Sequence, residues 1–287
     1  MVAVFRDYDQ AGLDAQYYLR GLIKDFQVYF DRYRSETDRA KRDFAHRADV
    51  AYGPTEAERV DIYTTANQGA PVHVFIHGGY WQALDKADFG FMARTIVPAG
   101  AVLVVVNYAL CPSVRMDEIV RQNRAALAWV WRNARTFGGD PARIFVSGHS
   151  AGGHLTAMMA LTDWPSFEPG LPRDLLKGGF AISGLFDLAP IRLCYLNEKL
   201  RMDEAEARRN TPLLHVRPGA PPLLLSVGGD ETAEYHRQQT EFRDAWRKAG
   251  NAVEEVAAPG LHHFSIIEEL ARPGSAIARA ALGQMGL

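Results

Sequence analysis

The distribution of apolar residues changes character near residue 48. Before it, Phe26, Tyr29, Phe30 and Tyr33 recur at helical spacing and run into the polar stretch Arg34 to Arg42, which predicts a helix with one apolar face. Two readings fit that face: it packs on the body of the protein, or it forms part of a lid over a site. After residue 48, short apolar runs alternate with amphipathic ones. Residues 48–52 and 59–63 read as a hairpin around Gly53-Pro54. Strands are predicted over 71–76, 101–106, 143–146, 178–182, 223–227 and 252–256. The run 101–106 is continuous and β-branched, as in a strand covered on both faces. Helices are predicted over 87–97, 116–137, 151–161 and 232–249, and the chain is helical again from Phe264 on.

Strands alternating with helices require crossover connections, hence a mostly parallel sheet, here of about eight strands with the first two antiparallel. Residues 188–217 are irregular and charged, the natural place for an insertion. No internal repeat and no Gly/Ser linker divides the chain, so residues 1–287 are expected to form one domain, with 1–47 as an N-terminal helical or cap segment and 188–217 as a cap-like insertion.

Chemistry enters at Gly148-His149-Ser150-Ala151-Gly152, between a predicted strand and a predicted small-residue helix. This is the pattern of a nucleophile elbow. A serine hydroxyl is a weak nucleophile, and a sharp strand-to-helix turn lifts it toward a base and an oxyanion hole. Glycines two before and two after relieve the crowding of such a turn. Such a serine needs a base held by an acid, and behind an elbow of this kind the two follow in the order acid, then histidine, each at a strand end. The strand 223–227 runs into Gly228-Gly229-Asp230, and Asp230 is the favoured acid because a short side chain at a strand end has the reach and stiffness to fix an imidazole; Glu231 and Glu234 compete with it. After the last strand come His262 and His263. They point in different directions, and the residues themselves do not decide between them. Oxyanion donors are expected from the backbone of Ala151, at a helix N-terminus, and of Gly79 and Tyr80 in the loop His77-Gly78-Gly79-Tyr80. His77 reads as a brace for that loop. His149, expected to point away from the nucleophile, and His154 read as structural, and Gly138-Gly139-Asp140 as a helix stop.

Composition narrows the alternatives. Hydrophobic residues make up 47% and charged residues 23%, which suits a globular core. The net charge of -2, without a basic run, speaks against a nucleic-acid partner and against an anionic membrane surface. No signal-like N-terminus and no long apolar run appear, so a cytoplasmic protein with no membrane segment is expected. Cys111 and Cys194 are expected to be reduced thiols, and with neither CxxC nor HExxH no metal and no cofactor is expected.

Four stretches resemble one family. His77-Gly78-Gly79-Tyr80-Trp81 resembles an HGGxW loop. Asn107-Tyr108-Ala109-Leu110-Cys111-Pro112, with Asp117 to Gln122 after it, is similar to a YxLCP segment and its helix. Gly148 to Gly152 matches a GHSAG elbow, and Ile182 to Ile191 an SGxxDLxPI stretch. Together with the DVxYG-like run Asp49 to Gly53, they resemble the kynurenine formamidase (arylformamidase) group of the α/β-hydrolase superfamily, near the hormone-sensitive-lipase-type esterases. The resemblance spans about residues 15 to 270. It implies an α/β-hydrolase fold, and it favours His263 as base, because His263-Phe264 falls on the family's His-Phe pair. Phe186 stands where a tyrosine is common, and residues 193–209 are diverged.

The implied reaction is removal of a small acyl group, formyl or acetyl, from an aryl amide or ester through an acyl-enzyme on Ser150. Tyr80, Trp81 and Phe186 are the candidate aromatic walls. The alternatives are a general short-chain carboxylesterase and, from another class, a non-catalytic binding protein on the same fold. The expected partner is a small-molecule substrate, with homo-oligomerisation left open.

Overall fold

The computed structural model describes residues 2–287. Eight strands form one sheet: β1 (His46–Ala51), β2 (Arg59–Tyr63), β3 (Ala70–Ile76), β4 (Val102–Val106), β5 (Gly139–His149), β6 (Leu176–Ile182), β7 (Leu223–Ser226) and β8 (Val253–Glu255). Their order is β1-β2-β4-β3-β5-β6-β7-β8. The pairs β1–β2 and β2–β4 are antiparallel, and every other pairing is parallel. All eight strands lie where the apolar pattern predicts them, within a few residues at their ends.

β3 and β4 are buried along their whole length. The period-2 alternation of a strand divides their side chains between two cores. Val72, Val74, Val102 and Val104 pack with Ile119, Leu127 and Leu155 on one face. Phe75, Leu103 and Val105 pack with Phe91, Ile96, Ile266 and Ile277 on the other. The helices that cover the first face are Met116–Asn133, with Ala151–Ala160 directly after the elbow.

One predicted helix breaks up. Residues 87–97 form two 3₁₀ turns, Lys86–Asp88 and Gly90–Met92, before a single α-turn, Ala93–Ile96. A capping box between Asp85 and Asp88 closes the first turn, and Phe91 N–H donates to Thr37 Oγ1 at 3.1 Å. That backbone donor serves the N-terminal segment, which a continuous local helix would not allow. The predicted amphipathic helix is Phe26–Asp43, with Tyr33, Thr37 and Ala40 buried. It docks on the body through Tyr33 against Phe89 and Phe91, ring centroids 5.8 and 5.3 Å apart, and through Phe30 against Phe264 at 5.3 Å. The charged stretch 188–217 holds three short helices, Ala189–Leu193, Asn197–Leu200 and Glu204–Arg209, followed by a 3₁₀ turn, Pro212–His215. Cys111 and Cys194 are both free and buried. Among the described residues no helix is long and apolar enough to cross a membrane.

Candidate active site

Parallel strands leave their carboxyl ends on one edge of the sheet, and the loops there build the site. β5 ends at His149, and Ser150 follows with φ 59° and ψ -120°, before the helix Ala151–Ala160 begins. A non-glycine residue at positive φ carries about 1–3 kcal/mol of strain, held by its surroundings. Here the turn is clamped by Ser150 N–H, which donates to Ile182 C=O at 2.9 Å. Gly152 is obligatory for a separate reason: a Cβ there would lie 1.9 Å from the Ile76 carbonyl oxygen.

The carboxylate that meets a histidine here is not the one favoured from sequence. Asp230 is exposed, and only its backbone is engaged on this side, N–H to Leu261 C=O at 3.0 Å. Glu231 instead accepts a hydrogen bond from His263 Nδ1 at 2.6 Å, with its side chain fully shielded from solvent. The turn explains the displacement. Glu231 N–H donates to Gly228 C=O at 3.0 Å, so Gly228-Gly229-Asp230-Glu231 closes on itself; Asp230 sits at the outer corner and Glu231 comes back under the loop after β8. The extra methylene of glutamate covers the remaining distance. Glu231 Oε1 accepts from Gly228 N–H at 2.8 Å and from Ser183 Oγ at 2.5 Å, so both carboxylate oxygens are satisfied and their direction is fixed. Ser183, at the end of β6, is a residue that the sequence reading passed over, although it stands within the Ile182 to Ile191 stretch.

Of the two histidines, His263 is the one on the acid; its side chain is 3% exposed. His262 Nε2 lies 3.0 Å from the Tyr29 hydroxyl, on the N-terminal segment. His149, expected to point away from Ser150, instead lines the same cleft and packs beside His263, ring centroids 4.5 Å apart. Burial first, and then the neighbouring His263 charge, hold its pKa well below the ordinary imidazole value, so it stays neutral. Tyr235 closes the other side of His263 at 4.8 Å.

The loop after β3 is held in unusual backbone conformations, with φ 106° at Gly79, 49° at Tyr80 and 57° at Trp81. At Gly79 this is the left-handed region that glycine tolerates, and a Cβ there would meet the Ala83 carbonyl oxygen at 2.0 Å. Among the described residues, no group accepts a hydrogen bond from the backbone N–H of Gly79, Tyr80 or Ala151. Unspent amides at a loop and a helix N-terminus suit a developing oxyanion. His77 braces the loop as expected: Nδ1 donates to Gly78 C=O at 2.8 Å, and its ring stacks on Tyr108 at 4.2 Å.

Two of the three aromatic walls are not walls. Trp81 is wholly buried, and its Nε1 donates to His154 Nδ1 at 3.2 Å. His154 in turn donates from Nε2 to Asn210 C=O at 2.7 Å, the structural role foreseen for it. Phe186 is buried against Phe242, with ring centroids 4.2 Å apart.

Tyr80 does line the cleft, with Gly79, His149, Ser150 and His263 at its floor. The cleft encloses about 950 Å³ including its mouth. Its sides come from the N-terminal segment (Tyr17, Tyr18, Leu19, Arg20, Phe30, Tyr33) and from the insertion (Tyr195, Leu196, Lys199). The Tyr17 carbonyl joins all three parts, accepting from the Tyr80 hydroxyl at 2.9 Å and the Tyr195 hydroxyl at 3.2 Å. The apolar face of residues 26–33 thus packs on the body and borders the cleft at once.

Sheet order, strained serine elbow and glycine loop together define an α/β-hydrolase. Comparison with known proteins agrees. The BD-FAE family model matches residues 60–175. The kynurenine formamidase of Danio rerio is 35% identical over 260 residues, covering 88% of this chain and 86% of that protein. A probable carboxylic ester hydrolase of Mycobacterium tuberculosis, LipM, is 28% identical, covering 73% of this chain and 54% of its own. A crystal structure described as a putative thioesterase from Silicibacter superposes with a TM-score of 0.83 at 29% identity, over 96% of this chain and 99% of that one. The chain belongs to the kynurenine formamidase (arylformamidase) and esterase group of the α/β-hydrolases, and it is a hydrolase of arylformamidase/carboxylesterase type.

Proposed function

We propose that this hydrolase removes a formyl or acetyl group from an aryl amide or ester by way of an acyl-enzyme, with Ser150 as nucleophile, His263 as base and Glu231, in place of Asp230, as the acid of the triad. The observation that carries the reading is the shielded 2.6 Å contact between Glu231 and His263 Nδ1, on the floor of the cleft that Ser150 also lines. A carboxylate on Nδ1 fixes the tautomer that leaves Nε2 free to take a proton, and it stabilises the imidazolium that results. His263 removes the Ser150 proton as Oγ bonds to the acyl carbon. The carbonyl oxygen becomes an oxyanion, which the N–H groups of Gly79, Tyr80 and Ala151 receive. Collapse of the tetrahedral intermediate breaks the bond to the aryl nitrogen or oxygen, and His263 returns its proton to that leaving group. Water, deprotonated by the same histidine, then attacks the acyl-serine, and as the bond to Ser150 Oγ breaks the histidine returns that proton to Oγ, which releases formate or acetate. Loss of one oxyanion donor is worth on the order of 10²-fold in rate.

The name of the Danio rerio relative supports an aryl formamide as substrate; the esterase relative supports an ordinary short-chain ester as the second reading. Hydrolysis of N-formylkynurenine and of p-nitrophenyl acetate by wild type and Ser150→Ala tests both. We expect the variant to lose at least roughly 10⁴-fold on either compound, and full activity in the variant would sink the mechanism. The ratio of kcat/KM on amide to that on ester separates formamidase from esterase.

A further inference from the structure

We infer that the cleft selects an aryl substrate bearing a carboxylate and no ammonium group, with Arg20 and Lys199 as the residues that read the charge. The inference rests on the hydrolase reading above and adds the substrate's charge to it.

The lining carries two cations, Arg20 and Lys199, and no aspartate or glutamate. Glu231, the carboxylate nearest the floor, is shielded behind His263 and already holds three donors. Elsewhere some cationic side chains of this protein are paired: Arg115 with Glu206, Arg121 with Glu58 and Glu118, Arg237 with Asp187, Glu234 and Glu241. Among the described residues neither Arg20 nor Lys199 has such a partner, although Arg20 is not loose. Its guanidinium lies over the rings of Phe26 and Phe30, 5.4 and 5.5 Å from their centroids. Aromatic faces hold the cation in place while leaving its N–H donors unspent. The two cations come from two segments that meet at Tyr17, Tyr18 and Tyr195, Arg20 from the N-terminal segment and Lys199 from the insertion. A carboxylate on the ring's distal side meets both while the aromatic walls take the ring and the acyl group faces Ser150. An ammonium group on the same substrate would enter a cleft with two positive charges and no carboxylate to receive it.

Three compounds with the same reacting centre test this on the full chain: 4-(2-formamidophenyl)-4-oxobutanoate, with a carboxylate alone; N-formylkynurenine, with carboxylate and ammonium; and 2-formamidoacetophenone, with neither. We expect kcat/KM for the carboxylate compound to exceed that for the neutral one by about tenfold, through KM, and the advantage to shrink as salt is added. N-formylkynurenine should fall between them. Arg20→Gln and Lys199→Gln should each lower the ratio, and the double charge reversal Arg20→Glu with Lys199→Glu should invert it. Both positions are exposed, so folding is not at stake. Equal rates on the carboxylate and neutral compounds, a ratio the variants do not move, or N-formylkynurenine as the best of the three would each overturn the inference. Turnover of p-nitrophenyl acetate that disappears in Ser150→Ala shows in the same samples that the hydrolase reading stands; its absence from wild type would bring that reading down instead.

Discussion

The ends of β5 and β7 face the same cleft on turns that are both tied down, but only the first carries a motif that names the residue it presents. At the end of β5 the chain has no freedom: Ser150 sits at positive φ, Gly152 is pressed against Ile76, and a shift of one position would put a side chain into a carbonyl group. The turn after β7 is held as well, with a Cβ at Gly228 2.3 Å from the Leu261 carbonyl oxygen and the N–H groups of Gly229, Asp230 and Glu231 all bonded to backbone, but it carries two neighbouring acids, Asp230 and Glu231. Turn closure and side-chain length decide between them, and neither is a motif. Where packing selects the residue, a sequence pattern identifies it; where reach selects it, the pattern brings one only to the right turn.

The sharpest way to break that contrast is to exchange the two acids. Glu231→Gln keeps the shape and removes the charge that fixes His263, and kcat should fall on the order of 10⁴-fold. Asp230→Asn, one residue away and exposed, should leave kcat within about twofold. Glu231→Asp keeps the charge but not the methylene, and should fall between them. A large loss in Asp230→Asn with little in Glu231→Gln would restore the aspartate and remove the contrast.

Next in size is the elbow itself. Gly152→Ala places a methyl 1.9 Å from the Ile76 oxygen, so β3 or the helix must move, at a cost of about 3 kcal/mol or more. Gly229→Ala, in the turn after β7, meets nothing closer than Pro259 Cα at 3.2 Å, and should cost no more than about 1 kcal/mol. Urea unfolding of the two variants measures the difference directly; equal losses would mean that Gly229 is held as tightly as Gly152.

Legibility followed the same division. The sheet was readable because short apolar runs between turn residues admit few other fates, and the elbow and the glycine loop were readable because tight backbone turns call for glycine; the residues left His262 and His263 open, and only the family resemblance favoured the one that meets Glu231. The helix expected over 87–97 failed because Phe91 N–H is taken by Thr37, some 50 residues upstream, a contact that no local pattern encodes. Trp81 and Phe186 failed as walls for a related reason: adjacency to a site residue says nothing about the direction of Cβ, and both turn into cores. The cleft's sides, drawn from residues 17–33 and 195–199, are the least legible part, since aromatic and charged residues in irregular segments have no period to follow.

A smaller effect comes from histidines buried beneath the site edge. Burial pushes His73, on β3, and His154, in the helix after the elbow, down to about 4. In the unfolded chain an imidazole titrates near pH 6.5. Between those values the unfolded state binds more protons than the folded one, so stability rises with pH across the window. It is fully present above about pH 6.5 and is lost as pH falls toward 4, at about 2–3 kcal/mol per histidine. Unfolding free energies measured at neutral pH and at a series of acid values should show that slope; a flat profile down to pH 4 would mean that these histidines take up protons in place.

The smallest effect sharpens what the motif His77-Gly78-Gly79-Tyr80-Trp81 is for. If Trp81 belongs to the core, Trp81→Phe removes the donor to His154 Nδ1, leaves that nitrogen buried without a partner, and costs about 1–3 kcal/mol of stability. The loss should appear as a lower Tm, and as a comparable change in kcat/KM on large and small aryl substrates alike, since the ring is absent from the cleft lining. A tryptophan that touched the substrate would give the opposite signature, an unchanged Tm with a loss that grows with the size of the aryl group. The measurement therefore tells whether the aromatic end of this loop holds the proposed oxyanion donors in place from behind or meets the substrate in front of them.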